Sequence, residues 1–232
     1  GEITMFRGTF DQEYQVDPNR PFSWRMSKED AGTGALGDMA SHTLSYALAL
    51  VGDVKQTIGN MGTFIKERNV AAGGSGHTAS GTTGEKRRVE NEDVVQFLLQ
   101  FKNGTLGSIS SSRIATGRML DIGFEIQGTK GAMYFTNERM NELNLYFLDD
   151  EESSKGYRKI YNHPNHRWYK NFNPIPGIPL GYNDQKIIEV RELVESIAEK
   201  RPAYPDFRFG WTINKIIDAV DKSVLTKKWE EI

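Results

Sequence analysis

An acidic residue and a histidine stand four residues apart at the start of a predicted helix. Asp38 and His42 both lie in the stretch GTGALGDMASH at residues 32–42. Side chains four residues apart share one side of an α-helix, so the carboxylate and the imidazole face the same way. A histidine titrates near neutral pH, and with a carboxylate beside it the two can serve in acid–base catalysis. We therefore predict Asp38 and His42 as catalytic residues.

These residues also have an ordinary structural explanation. A carboxylate in the first helical turn is stabilised by the helix dipole, and His42 can be a structural residue.

The sequence does not indicate a metal site. Such a site needs a third ligand, and His163 and His166 are not accompanied by an HxxxH or HExxH pattern, so we predict no metal. The G-x-G-x-x-G pattern at 32–37 does not follow a strand in a βαβ unit, so we do not assign it to dinucleotide binding.

Aromatic and basic side chains flank this stretch. Trp24 and Arg25 stand just upstream, where we predict that Trp24 stacks on a sugar or another ring and Arg25 binds phosphate or hydroxyl groups. A packed tryptophan beside a surface arginine is the alternative. His163 lies in a proline-rich loop at 162–182 whose polar and aromatic groups suit a carbohydrate pocket. His77, in the Gly/Ser/Thr-rich stretch 71–85, is interpreted as mobile and solvated.

Charge and composition exclude several classes of protein. The 232 residues carry a net charge of -2, which gives no field to hold nucleic acid or an anionic membrane. The basic triplet at 86–88 is followed by acidic residues at 90–93, so we interpret this segment as solvated and charge-balanced. No apolar run approaches the ~20 residues of a membrane helix. The chain has no cysteine, which fits a reducing compartment, and we predict a cytoplasmic location.

The elements that must position these residues form an α+β pattern. A helix is predicted over 36–51, and antiparallel strands follow, with a hairpin turn at Asn103-Gly104. Two helices come later, one from Asn183 that carries an apolar stripe and ends before Pro202, and one over 210–225. A strand over 3–16 opens the chain. We predict an open, mostly antiparallel β-sheet with helices packed on one face. A partly apolar second face favours oligomerisation.

Several stretches in order along the chain resemble the Gfo/Idh/MocA family of NAD(P)-dependent sugar and polyol dehydrogenases. The most specific is the GALGD…SH element, and the others are weaker individually. They are PFSWR (21–25), ENED (90–93), FKNGTLGSISSSR (101–113), IQGTKGAMYF (126–135), LGYND (180–184) and RPAYPDFRFG (201–210). The resemblance covers nearly the whole chain and is to the C-terminal half of such a protein.

The resemblance implies roles for individual residues. His42 falls on the acid–base histidine of the family, and Asp38 on the carboxylate that fixes substrate hydroxyls or the imidazole. Trp24 and Arg25 would line the cleft, Arg25 near the cofactor as well as the substrate. Tyr182 and Asn183 match a segment near the cleft, so they are candidate substrate-binding residues. The implied cofactor is NAD or NADP, and the implied substrate is a sugar, inositol or related polyol.

The resemblance also implies an organisation for the protein. Residues 1–232 would form the C-terminal substrate-binding and oligomerisation domain, and the N-terminal dinucleotide-binding Rossmann domain is not in this chain. We therefore expect the chain by itself to be inactive, and the full-length parent to form a homodimer or homotetramer through the open sheet face. The alternatives are a stand-alone carbohydrate-binding or oligomerisation module without catalysis, and a structural subunit whose sheet face is the working surface.

Overall fold

A single open sheet of nine strands organises the molecule. The computed structural model describes residues 1–232. Its strands are β1 (Ile3–Asp11), β2 (Val54–Gly62), β3 (Glu67–Asn69), β4 (Lys86–Arg88), β5 (Val94–Phe101), β6 (Leu106–Ser112), β7 (Asp121–Gly128), β8 (Gly131–Thr136), β9 (Glu142–Phe147), β10 (Arg158–Tyr161) and β11 (Glu230–Glu231). The helices are α1 (Lys28–Ala31), α2 (Ser41–Leu50), α3 (Tyr182–Ala198) and α4 (Phe207–Thr226).

The strand order across the sheet is β10-β9-β8-β7-β1-β6-β5-β2-β11, and β3 and β4 form a separate ladder. Only β1 and β6 pair in parallel, while all other neighbours are antiparallel. The hairpin between β5 and β6 turns at Gly104, whose φ of 90° is a conformation that glycine adopts without strain. The predicted α+β class and mostly antiparallel sheet are confirmed.

Helices α2 and α4 cover one face of the sheet, as predicted. Helix α4 packs along β2, and α2 packs on β1 and β7. Completely buried side chains from both layers form the core, among them Phe6, Leu44, Val95, Ile216 and Val220. The predicted helix over 36–51 is observed as a wide π-type turn at Leu36–Ala40 that continues directly into α2.

The predicted strand over 3–16 is wrong beyond Asp11. There Asp11 pairs with Ser112 on one side and Asp121 on the other, and these are the last residue of β6 and the first of β7. Without a neighbouring strand, the backbone groups of residues 12–16 bond elsewhere. The Gln15 N–H, for example, donates to the Arg113 carbonyl at 3.0 Å. The segment therefore leaves the sheet toward the start of the helices.

Helix α3 forms where predicted, starting one residue earlier, but its apolar stripe does not pack on the core. An apolar stripe on a helix is normally its buried face. On α3 these side chains are each more than half exposed, namely Ile187, Val190, Leu193, Val194 and Ile197. None of the helices is both long enough and apolar enough to cross a membrane.

Candidate functional site

The start of the α2 segment is held by a buried carboxylate. Glu92 accepts hydrogen bonds from the backbone N–H groups of Gly34 at 2.8 Å and Leu36 at 2.7 Å. A Cβ atom on Gly34 would collide with the backbone carbonyl of Glu92. Gly34 therefore serves this close packing within the protein. Because Glu92 satisfies the free N–H groups at the start of the helical segment, it fixes where Asp38 and His42 are presented.

A second buried carboxylate positions Arg25. Asp93 pairs with Arg113 at 2.9 Å, and both side chains are at most 4% exposed. Arg113 and Asn91 in turn donate to the backbone carbonyl of Arg25, Asn91 at 2.8 Å. The interpretation of residues 86–93 as a solvated segment is wrong for Glu92 and Asp93, whereas the basic triplet at 86–88 and Glu90 are exposed. The acidic stretch connects the sheet to the loop that carries Arg25.

Asp38 lies at the surface between two donors. Its Oδ1 forms an ion pair with the Arg25 guanidinium at 2.7 Å, and its Oδ2 accepts a hydrogen bond from the Tyr14 hydroxyl at 3.2 Å. The Asp38 side chain is 39% exposed, whereas that of Arg25 is 20% exposed. The carboxylate is thus fixed in position and still open to solvent, which is what a group that binds substrate hydroxyls requires.

The exposure of Trp24 and Arg25 is the reverse of the alternative in which the tryptophan is packed and the arginine lies at the surface. The Trp24 ring is 44% exposed, and the Arg25 guanidinium lies 4.8 Å from its centre. The Arg25 Nε is buried and has no hydrogen-bond partner, while Gly76, which has no side chain, lies beside it. The part of the Arg25 side chain that remains exposed can donate to a phosphate or a hydroxyl group.

His77 is exposed, as its interpretation as solvated requires, and its ring reaches this site. Its ring lies 5.5 Å from the ring of Tyr14, and its backbone carbonyl accepts a hydrogen bond from Arg20 at 3.5 Å.

Burial and the nearby Asp38 charge raise the pKa of Tyr14 to about 12. The phenol therefore remains a neutral donor toward Asp38 at any physiological pH.

His42 lies one turn beyond Asp38 and opens onto a cleft. Its exposed ring packs edge-on against Phe10, with 5.6 Å between the ring centres. The cleft has a volume of about 530 Å³ and runs between α2, α3 and the start of α4. Ser45, Leu193 and Phe207 are among the residues that line it. No hydrogen bond joins Asp38 to His42, so each is free to contact a separate atom of a ligand.

The remaining predicted site residues lie elsewhere. His163 accepts a hydrogen bond from the Asn165 N–H at 3.0 Å within the proline-rich loop. Tyr182 and Asn183 are exposed at the start of α3. None of the three contacts Asp38 or lines the His42 cleft, so their substrate-binding roles stay predictions. The loop does border a second, aromatic-lined cleft of about 740 Å³, to which it contributes Trp168 and Tyr169.

Sequence reasoning missed Tyr14 and the structural roles of Glu92, Asp93 and Arg113. Tyr14 lies 24 residues before Asp38 in a segment predicted as strand, and nothing local indicates that the two meet. The acidic residues at 90–93 follow a basic triplet, a pattern that is typical of an exposed surface. The one available signal was that Glu92 and Asp93 come immediately before the apolar strand β5. A charged residue at the start of a buried strand is often buried with it, paired to an oppositely charged residue.

Comparison with known proteins identifies the family to which this chain belongs. Residues 1–134 match the model of the GFO/IDH/MocA C-terminal domain. The chain belongs to the Gfo/Idh/MocA family and corresponds to its C-terminal domain, as the resemblance implied.

Among curated proteins, levoglucosan dehydrogenase of Pseudarthrobacter phenanthrenivorans is 38% identical to this chain. The match spans 100% of this chain and 60% of that protein. Among solved structures, the apo form of levoglucosan dehydrogenase superposes with a TM-score of 0.95 at 38% identity, covering 100% of this chain and 60% of the other. An NAD-binding oxidoreductase from Klebsiella pneumoniae gives a TM-score of 0.92 at 38% identity, with 100% and 59% covered. The chain thus spans about 60% of the length of these relatives.

Proposed function

We propose that this chain is the substrate-handling domain of a nicotinamide-dependent oxidoreductase that acts on a secondary alcohol or ketone of a sugar or polyol. The observation that carries the proposal is the Asp38 carboxylate, held open to solvent by Arg25, one helical turn before an exposed histidine. The relatives support this chemistry, because they include a levoglucosan dehydrogenase and an NAD-binding oxidoreductase.

His42 is the acid–base residue in this proposal. When the alcohol is oxidised, the imidazole accepts the hydroxyl proton as the carbonyl forms, and in the reverse direction it returns that proton. Its exposure on the cleft leaves a ring nitrogen free to reach the substrate. Asp38 accepts a hydrogen bond from a neighbouring hydroxyl and so orients the sugar ring beside His42.

Arg25 is the residue of this chain that is placed to contact the cofactor. A bound nicotinamide dinucleotide supplies the acceptor for the hydrogen and electron pair that leave the carbon atom. The Arg25 side chain is 20% exposed, so its guanidinium can also donate to an oxygen of such a ligand, or of the substrate, while its Nη1 stays on Asp38. Trp24 presents an exposed ring face beside the same guanidinium, which suits stacking on a flat ligand.

The ligands of two related solved structures make the proposed substrate and cofactor more specific. Levoglucosan dehydrogenase has been solved in complex with NADH and levoglucosan and in complex with NADH and L-sorbose. At 36–37% identity to those chains, we propose NAD as cofactor and a cyclic sugar as substrate. The predicted inactivity of residues 1–232 alone is part of this proposal, because these residues span only about 60% of the length of the relatives.

The test is oxidation of sugars by the protein that carries this chain, with levoglucosan, L-sorbose and inositol as substrates and NAD or NADP as acceptor. Replacing His42 by alanine is expected to lower kcat about 100- to 10,000-fold, the usual contribution of a general acid–base residue. The measurement is the rate of NADH formation at saturating sugar.

The matched control is His166→Ala, which removes another exposed histidine and is expected to leave the rate unchanged. If His42→Ala keeps a rate near that of the wild type, the acid–base assignment is wrong. If the wild type binds sugars without any turnover, the alternative of a carbohydrate-binding module replaces the dehydrogenase.

We further propose that a second copy of the chain covers the open face of the sheet. No helix packs on this face, and it exposes Leu98 and Leu106 from neighbouring strands. Toward the other end of the sheet, Tyr134, Tyr146 and Tyr157 form an aromatic cluster, with ring centres of neighbouring pairs 5.0 and 5.8 Å apart. Apolar and aromatic patches of this kind are typical of interfaces between subunits.

A further inference from the structure

We propose that Tyr14 is a positioning residue of the active site, acting through Asp38. Its hydroxyl donates to the Asp38 Oδ2, the oxygen that the Arg25 ion pair leaves free. The inference rests on the proposed function, in which Asp38 binds a substrate hydroxyl, and it adds a residue from a different part of the chain to that machinery.

The Tyr14 ring is held on two sides. The Arg20 guanidinium lies 5.6 Å from the ring centre, and the His77 ring packs at 5.5 Å. Arg20 also donates to the His77 backbone carbonyl, which ties the two contacts together. Because the ring is packed in this way, the hydroxyl points toward Asp38 without a further loss of side-chain freedom. The 71–85 loop, through His77, thus helps to orient Asp38 without touching it.

Two donors on different oxygens fix the rotation of the carboxylate about its Cβ–Cγ bond. The Arg25 contact alone leaves the Asp38 Oδ2 free to turn, since the side chain is 39% exposed. With Tyr14 on Oδ2, the remaining lone pairs of both oxygens point in fixed directions, so a substrate hydroxyl meets a preset acceptor. The pKa of Tyr14, about 12, keeps the proton on the phenol and preserves this donor.

The test is a double-mutant cycle in the protein that carries this chain. Tyr14→Phe removes only the hydroxyl and is expected to lower kcat/KM about tenfold, the order of effect for a hydrogen bond to a charged group. In an Asp38→Asn background, Tyr14→Phe is expected to cause no further loss, because the charged acceptor it orients is gone. A purely structural tyrosine would give the same loss in both backgrounds.

Tyr161→Phe is the matched control, since it removes an exposed phenol hydroxyl on β10 that contacts neither Asp38 nor Arg25. It is expected to leave kcat/KM unchanged. The proposal is overturned if Tyr14→Phe is as active as the wild type, or if its effect is undiminished in the Asp38→Asn background.

A second readout keeps this inference separate from the proposed function. In urea unfolding of the 232-residue chain, the effects of Tyr14→Phe and Asp38→Asn on the folding equilibrium are expected to be non-additive by about fivefold, because the residues are in contact. If no sugar is oxidised but this coupling is found, the proposed function fails and the contact stands. If the effects are additive, the positioning role fails regardless of activity.

Discussion

Neighbouring carboxylates at residues 92 and 93 are almost completely buried, and each has protein donors on its oxygens. Glu92 holds the start of the α2 segment, while Asp93 accepts from Arg113 and from the backbone N–H groups of Phe64 and Ile65 at 2.7 and 3.0 Å. A buried charge is tolerated only when it is paired and hydrogen-bonded. Individual buried residues therefore determine where Arg25 and Asp38 lie.

The buried pair is expected to be far more sensitive than the surface pairs. Replacing Arg113 by methionine leaves Asp93 buried without its charged partner, which costs about 3–5 kcal/mol. Lys102→Met removes an ion pair to Asp53 in which both side chains are more than 60% exposed, and is expected to cost about 0–1 kcal/mol. The measurement is the free energy of unfolding in urea. Similar losses of unfolding free energy for the two variants would show that the buried Arg113–Asp93 pair is no more important to stability than a surface ion pair.

At the scale of elements, the α2 segment is placed by contacts at its first turn. Its start is a wide turn at Leu36–Ala40, and the residues just before that turn pack against the strand-entry segment that holds Glu92. The Ala35 N–H donates to the Glu92 carbonyl at 3.1 Å, in addition to the bonds that the Glu92 side chain accepts. The contact between residues 34–36 and Glu92, here called the Glu92 junction, therefore determines the positions of Asp38 and His42.

A methyl group at Gly34 tests this junction. Gly34→Ala places a Cβ against the Glu92 carbonyl, and the forced shift is expected to cost about 1–3 kcal/mol or more and to lower sugar oxidation. Gly210→Ala is the control, because no atom lies within 4 Å of the added Cβ in α4, and it is expected to be neutral or slightly stabilising. Thermal unfolding followed by circular dichroism measures both. Equal melting temperatures for the two variants would rule out the close contact.

The elements that sequence reasoning predicted well are those with a strong local pattern. The 36–51 helix, the Asn103-Gly104 hairpin and the strands on either side follow from apolar spacing and turn residues alone. The pairing of Asp38 with Arg25 and Tyr14 depends on contacts across long sequence separations, which no local pattern reports. The exposed stripe of α3 also shows that periodicity predicts a helix but not which surface covers its apolar side.

At the scale of the whole molecule, the sheet has one face under α2 and α4 and one open face. The open face combines polar residues near its centre, such as Ser108 and Ser110, with exposed leucines and tyrosines. Burial of apolar side chains against a second copy stabilises a dimer in proportion to the area removed from water. A charge placed in the middle of such an interface opposes it.

Leu98→Lys is therefore expected to shift the protein that carries this chain from an oligomer to a smaller species in sedimentation velocity. The leucine is 50% exposed on the open face, and a charged ammonium group is costly to bury in an interface there. Leu225→Lys, at the end of α4 and 76% exposed, is the control and is expected to sediment as the wild type does. An unchanged profile for Leu98→Lys would remove this face as the interface.

The burial of Asp93 and Arg113 gives the two walls of the candidate site unequal stiffness. The wall that carries Arg25 is tied through these residues to β5 and β6, so it separates from the sheet only when the core itself opens. The opposite wall, the 71–85 loop with His77, is fastened mainly by ring contacts and a few surface hydrogen bonds, and we expect it to open at a small fraction of that cost. A sugar is therefore expected to enter past the 71–85 loop and to bind against the wall that carries Arg25.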